Sequence, residues 1–286
     1  MQVDIAAMVL LLAVGVFAGS IGALVGIGGG IIIVPALALG FGYDIRTSVA
    51  TSLVAVVATS AAAGMKYAQE GLTNIRLGLT LEVVTAVGGV VGGLIAVSIA
   101  PNVIYGVFAL VTLLVAVLMW RHDDERRHPS QETVGSMRAG SDILRSSYVD
   151  QATRRQIEYR PRRLGFGMSL SSVAGVLSGL LGVGGGFLKV PAMTLAMDVP
   201  AKAAAATSNF MVGITAVASL VIYLARGFVQ PAVAVPVTLG IVLGAVVMSQ
   251  FTNKVSGLHV QRVLSVILVI IAIQMALESA GLVAYG

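Results

Sequence analysis

Charged side chains stop at Asp4 and resume at Asp44, and comparable uncharged intervals return at 47–65, 164–188, 203–225 and 227–253. Between 77 and 120 the one charge is Glu82. The intervals reach or exceed the roughly 20 residues that a helix needs to cross ~30 Å of hydrocarbon. Their apolar residues lack the period-2 alternation of barrel strands, so the pattern predicts helices. The expected spans are 5–25, 30–40, 47–68, 75–97 and 102–120, then 164–182, 186–197, 203–225, 230–250 and 259–280. A single helix over 5–40 would run about 54 Å at 1.5 Å per residue, far more than the bilayer core. The first two elements are therefore read as a hairpin.

The bend has a sequence signature. Gly26-Ile27-Gly28-Gly29-Gly30, followed by Val34-Pro35, returns as Gly182-Val183-Gly184-Gly185-Gly186, followed by Val190-Pro191. The same offset aligns Gly19 with Gly175, Ala50-Thr51-Ser52 with Ala206-Thr207-Ser208, Tyr67 with Tyr223, Gly88 with Gly244 and Arg46 with Lys202. This gapless series marks an internal duplication. The chain reads as an all-α membrane protein of two multi-helix repeats, 1–120 and 164–286, joined by a polar connector, 121–163. Counting each glycine hairpin as a return gives an odd number of crossings per repeat, hence inverted repeats, each with a hairpin broken at a GxGGG loop near the midplane; an even number of crossings would make the repeats parallel instead.

Composition agrees: 57% of residues are hydrophobic and 11% charged. The net charge of +5 does not point to nucleic acid, because ten of the eighteen basic residues sit in the connector beside seven acids. The positive-inside tendency instead makes the connector cytoplasmic, together with Lys66, Arg76, Lys202, Lys254 and Arg262, and puts both termini outside a plasma or bacterial inner membrane. The connector is expected to be a solvated tether with one short helix around 143–157. Cysteine is absent, so disulfides and thiol chemistry are excluded. His122 and His128 lack ligand spacing, and neither a metal nor a cofactor is expected.

Backbone N–H groups and the positive dipole end of the short helices that start near Gly30 and Gly186 favour an anion. Expected substrate contacts are Gly26, Gly28, Gly29, Gly30, Gly182, Gly184, Gly185 and Gly186. Lys189 stands where the first copy has Ile33, and a charge in such an apolar element needs a cavity or a partner. It either attracts the anion or is held by Glu82. Thr51, Ser52, Thr207, Ser208 and Asn209 supply hydroxyls and an amide for oxyanions, or bond back to their own helices. Arg46 and Lys202 are candidates for entrance charges, and Glu82 for proton coupling. No H-E-x-x-H, G-x-S-x-G or G-x-x-x-x-G-K-S/T motif is present, which argues against an enzyme and against an internal ATPase.

The duplicated G-x-G-G-G-x-x-x-V-P motif, the length and the polar connector resemble the TauE/SafE family of anion permeases, also called the toluene sulfonate uptake permease family. The resemblance covers both halves. It implies a secondary transporter of small sulfur-containing or organic anions such as sulfite, sulfoacetate or other sulfonates, with export the expected direction. Its expected partners are the small anion and the lipid bilayer, with a homodimer left open. A non-transporting membrane assembly subunit and an intramembrane enzyme are the alternatives. The similar thiosulfate uptake proteins use cysteines, which this chain lacks.

Overall fold

A computed structural model describes residues 4–25, 29–125, 144–150, 155–251 and 257–282. The elements are α1 (Ile5–Val25), α2 (Gly30–Pro35), α3 (Ile45–Gln69), α4 (Ile75–Ser98), α5 (Pro101–Glu125), strands β1 (Ser146–Asp150) and β2 (Arg155–Tyr159), α6 (Leu164–Leu181), α7 (Gly186–Pro191), α8 (Ala201–Ala225), α9 (Pro231–Phe251) and α10 (Gly257–Ser279). Seven of these, α1, α3, α4, α5, α6, α8 and α9, contain stretches long and apolar enough to cross a membrane. The protein is an all-α membrane protein. Its helices are amphipathic in the sense that lipid requires: α4 turns Val83, Val87 and Leu94 outward, while it buries Glu82, Thr85, Gly88, Gly89 and Gly92. Small and polar faces meet inside, where other helices satisfy them.

Two glycine seams hold the bundle. Across the seam of α1 with α9, a Cβ on Gly19 would overlap the Ile241 carbonyl, and one on Gly244 would overlap the Val16 carbonyl. Across that of α4 with α6, a Cβ on Gly92 would overlap the Val176 carbonyl. Helix α3 packs on α8, and α5 on α10.

The helices α2 and α7 each continue without interruption into a π-helical turn, Ala36–Gly40 and Ala192–Ala196. Pro35 and Pro191 end the α-helical part. Proline lacks an N–H, and its ring crowds the carbonyl four residues earlier, so the chain widens at that point. The two arms leave the bundle at opposite ends of α4. The first emerges beside Arg46, whose guanidinium donates to the Ala96 and Ile99 carbonyls at the end of α4 (3.2 and 2.6 Å). The second emerges where the Arg162 N–H donates to the Met197 carbonyl (3.0 Å). Met197 packs there in one cluster with Leu77 and Leu81, from the first turns of α4.

The connector departs from expectation. Helix α5 runs on to Glu125, residues 126–143 and 151–154 of the connector lie outside the described residues, and in place of the anticipated helix at 143–157 the described parts pair as an antiparallel hairpin with Ser146 opposite Tyr159 and Tyr148 opposite Ile157. Alternation of large apolar side chains, Tyr148 on one strand and Ile157 and Tyr159 on the other, is a strand pattern rather than a helical one. Nor is this part a solvated tether. Leu144, Tyr148 and Tyr159 are buried against Leu77, Leu81, Met193, Met197 and Val199, with the tyrosine rings edge-on at 6.4 Å. Asn74 fastens the hairpin: its Nδ2 donates to the Leu144 carbonyl (3.0 Å), while its Oδ1 caps α4 by accepting from the Leu77 N–H (3.1 Å). Burial pushes the Tyr159 phenol above its ordinary pKa, partly offset by hydrogen bonds with Ser146 and Asn74.

Candidate functional site

The two bends share one local geometry. Gly29 and Gly185 precede their short helices with φ of 73° and 70°, a left-handed conformation that glycine adopts without a Cβ penalty. The Gly29 carbonyl accepts from the Ile32 and Ile33 N–H groups, and the Gly185 carbonyl from those of Leu188 and Lys189. A Cβ at Gly185 would overlap the Ala174 carbonyl oxygen (2.8 Å), and one at Gly29 would press on the end of the Ile241 side chain (2.8 Å) and on the Ala18 carbonyl oxygen (3.0 Å).

The two tips touch. Gly30 lies against Gly182 and Val183 so closely that an added Cβ would stand 2.6 Å from the Gly182 carbonyl oxygen. The Ser52 hydroxyl donates to that same carbonyl (2.7 Å) and ties α3 to the second tip. Gly182 and Gly184 also have positive φ, and Gly186 opens α7. Gly26 and Gly28 lie outside the described residues.

Lys189 and Glu82 are brought together. Their relative exposures are 1% and 3%, low enough that each needs a partner within the protein. Lys189 Nζ donates to Thr215 Oγ1 (2.8 Å) and to Glu82 Oε2 (3.5 Å), and the Thr215 hydroxyl donates to Glu82 Oε1 (2.6 Å). An ammonium has three donors, so two of those of Lys189 are engaged with described residues. The hydroxyl is the closer partner of both charges, which leaves the direct ion pair long. Sequence reasoning singled out both charged residues and missed Thr215. The available signal was its match with Thr59 at the repeat offset, a hydroxyl in the same place on both third helices. The corresponding trio in the other half, Ile33, Thr59 and Thr238, has no charge.

The remaining polar candidates divide into three settings. Thr207 Oγ1 accepts from the Asn74 N–H (3.0 Å), so it is joined to the residue that fastens the connector hairpin. Thr51 is fully buried with its hydroxyl unpartnered among the described residues, as is that of Ser178. Ser208 is buried on α8. Asn209 lines a cavity of about 50 Å³ with Gly19, Gly22, Thr59, Ser60, Val212, Ile241 and Ala245. Its amide nitrogen bonds back to the Ala205 carbonyl, and its backbone carbonyl accepts from Ser60. Thr59 and Ser60 were not among the sequence candidates.

The two entrance candidates differ. Arg46 covers the C-terminal carbonyls of α4 and lies over the Phe228 ring at 5.6 Å, with Asp44 Oδ2 accepting from its backbone N–H. A cation there also complements the negative end of the helix dipole. Lys202 is exposed in the first turn of α8.

A family model described as the sulfite exporter TauE/SafE matches residues 11–275. The chain is 26% identical to a probable membrane transporter protein of Bacillus subtilis, YunE, over 94% of this chain and 97% of that protein. It is 24% identical to a probable membrane transporter protein of Methanocaldococcus jannaschii, over 94% of this chain and 95% of the other. A second Bacillus subtilis probable membrane transporter protein, YdhB, is 26% identical over 84% of this chain and 86% of its own. No solved structure matches the chain.

Proposed function

Because the chain belongs to the TauE/SafE sulfite exporter family, and is a multi-pass membrane permease rather than an enzyme, we propose that it carries a small sulfur-containing or organic anion, such as sulfite, sulfoacetate or another sulfonate, across the membrane. The observation that carries this reading is Lys189, a cation with 1% exposure on the short helix behind the second glycine bend. The anion would sit where the two tips meet, with the ammonium of Lys189 as its counter-charge and the Ser52 hydroxyl, already bonded to the Gly182 carbonyl, beside it; the buried Thr51 and Ser208 hydroxyls are further candidates, whereas Thr207 is engaged by Asn74. The glycines let the two backbones approach each other there.

The two halves act as inverted repeats in this reading. Support comes from the exchange of partners, α1 with α9 and α4 with α6, and from the arms emerging at opposite ends of the bundle. Alternate opening of the two arms would then expose one site to each side in turn. The connector and the Asn74 end of α4 face the cytoplasm, and both termini face outward. For any net negative charge carried across, outward movement is the direction that an inside-negative potential favours, by ~2.3 kcal/mol per charge per 100 mV.

Counterflow of labelled sulfite or sulfoacetate in proteoliposomes tests the assignment. Lys189→Ile, which installs the residue of the first half, is expected to abolish exchange. Undiminished exchange would remove the lysine from the site, and no exchange by the unmodified protein with any of these anions would end the sulfur-anion reading.

A further inference from the structure

The buried pair is arranged as a substitute for the substrate. Glu82 presents a carboxylate, itself a planar oxyanion, to the ammonium that the anion reading assigns to the substrate. It does so through a hydroxyl that contacts both charges: Thr215 accepts from Lys189 at 2.8 Å and donates to Glu82 at 2.6 Å. The direct contact of 3.5 Å is at the outer limit of a hydrogen bond, so the ammonium is held near the carboxylate but not clasped by it. Rotation of one hydroxyl is enough to redirect the bridge, because Thr215 Oγ1 also lies 3.2 Å from the Met211 carbonyl, an alternative acceptor on its own helix.

The surroundings decide what happens when the pair is opened. The groups facing Glu82 are Lys189 from α7 and Thr215 from α8. Helix α6, packed along α4, contains no titratable side chain. The other ionisable groups of these helices, Arg76 on α4 and Lys202 and Tyr223 on α8, stand toward the helix ends. If an incoming anion takes the ammonium, Glu82 is left as a buried carboxylate with no second cation among the described residues. That state is far more costly than a neutral carboxylic acid hydrogen-bonded to Thr215.

We infer that Glu82 is a displaceable internal counter-anion, and that each substrate anion bound to Lys189 is accompanied by one proton taken up on the Glu82 carboxylate. This rests on the anion-permease reading above. The balance is simple. A proton from water adds to one Glu82 oxygen as the Lys189 ammonium passes from carboxylate to substrate, and both return on release. With a monovalent anion, the loaded and empty sites carry the same net charge. A monovalent sulfonate would therefore cross with no net charge and be driven by its own gradient and by pH. A divalent anion would still take one negative charge with it and keep its response to voltage.

The test uses the full chain in liposomes with methanesulfonate, which stays ionised and cannot carry a proton by itself, and with the membrane potential clamped at zero by potassium and valinomycin. A trapped pH dye and labelled methanesulfonate are read together. One proton per anion is expected, and an imposed gradient of one pH unit should drive about tenfold accumulation. In Glu82→Gln the proton-to-anion ratio should fall to near zero and the accumulation should disappear. If the unmodified protein moves methanesulfonate without acidifying or alkalinising the lumen, the coupling is refuted while the anion reading stands. A Glu82→Gln protein that still accumulates the anion along the pH gradient refutes it equally. Absence of methanesulfonate counterflow in the unmodified protein overturns the sulfonate reading and the coupling with it. Because the stoichiometry is measured on the unmodified chain, a variant that fails to fold does not shield the proposal.

Discussion

At the scale of the residue, Lys189 and Glu82 bear on stability and transport in separable ways. Lys189→Met leaves the Glu82 carboxylate buried without its cation, a class of change that costs about 3–5 kcal/mol. Lys189→Met combined with Glu82→Gln removes both charges and should recover most of that loss, since replacing a buried pair as a whole is often near neutral. Thermal unfolding in detergent is expected to show the single variant well below the unmodified protein and the double variant close to it, while anion counterflow is lost in both. Recovery of transport along with stability would mean that the lysine serves the fold alone. Thr215→Val tests the bridge: the two charges would have to meet directly across a 3.5 Å gap, and the melting temperature should fall with the loss of two hydrogen bonds to charged groups, each worth about 1.5–3 kcal/mol.

Among the elements, the connector hairpin gives the clearest mechanical expectation. Tyr148 and Tyr159 dock it onto Met193 and Met197, where the second arm leaves the bundle. Replacing both tyrosines with alanine should release the strands and open the backbone after Arg155 and Arg162 to trypsin, while the spans remain folded. Limited proteolysis followed by mass spectrometry reads this, and persistent resistance at those arginines would show that Asn74 and the strand pairing hold the hairpin without the rings. This element also marks where the sequence stops being informative. The spans were legible because an uncharged stretch of that length has one stable form in lipid. The glycine bends were expected because their motif occurs twice, but the π-helical turns after Pro35 and Pro191 were not: a proline marks where an α-helix is weakened, not how the chain continues. The hairpin was not, because five-residue strands flanked by charge carry a weak period, and their burial depends on a methionine-lined surface supplied by other helices. The same holds for the site: Lys189 and Glu82 each stand out as an isolated charge, but that they meet through Thr215 is a property of how α4, α7 and α8 pack, which no spacing encodes.

For the whole molecule, the exchange of partners between halves predicts that neither half is a folding unit. Residues 1–120 and 164–286, produced separately, are expected to be degraded or to aggregate, whereas co-production should restore a detergent-stable complex. Size-exclusion chromatography of the two expressions distinguishes these results, and a stable, monodisperse single half would refute the dependence. The seams have a further consequence for the order in which the protein is made. The small faces of α1 and α4 enter the bilayer first, and the helices shaped to cover them, α9 and α6, are synthesised later. During that interval Glu82 is in the membrane before its lysine exists. The nascent first half must therefore wait, with its carboxylate neutralised or shielded by the insertion machinery, until the second half arrives. Truncations that stop translation before α7 should accordingly be strong targets for membrane quality control.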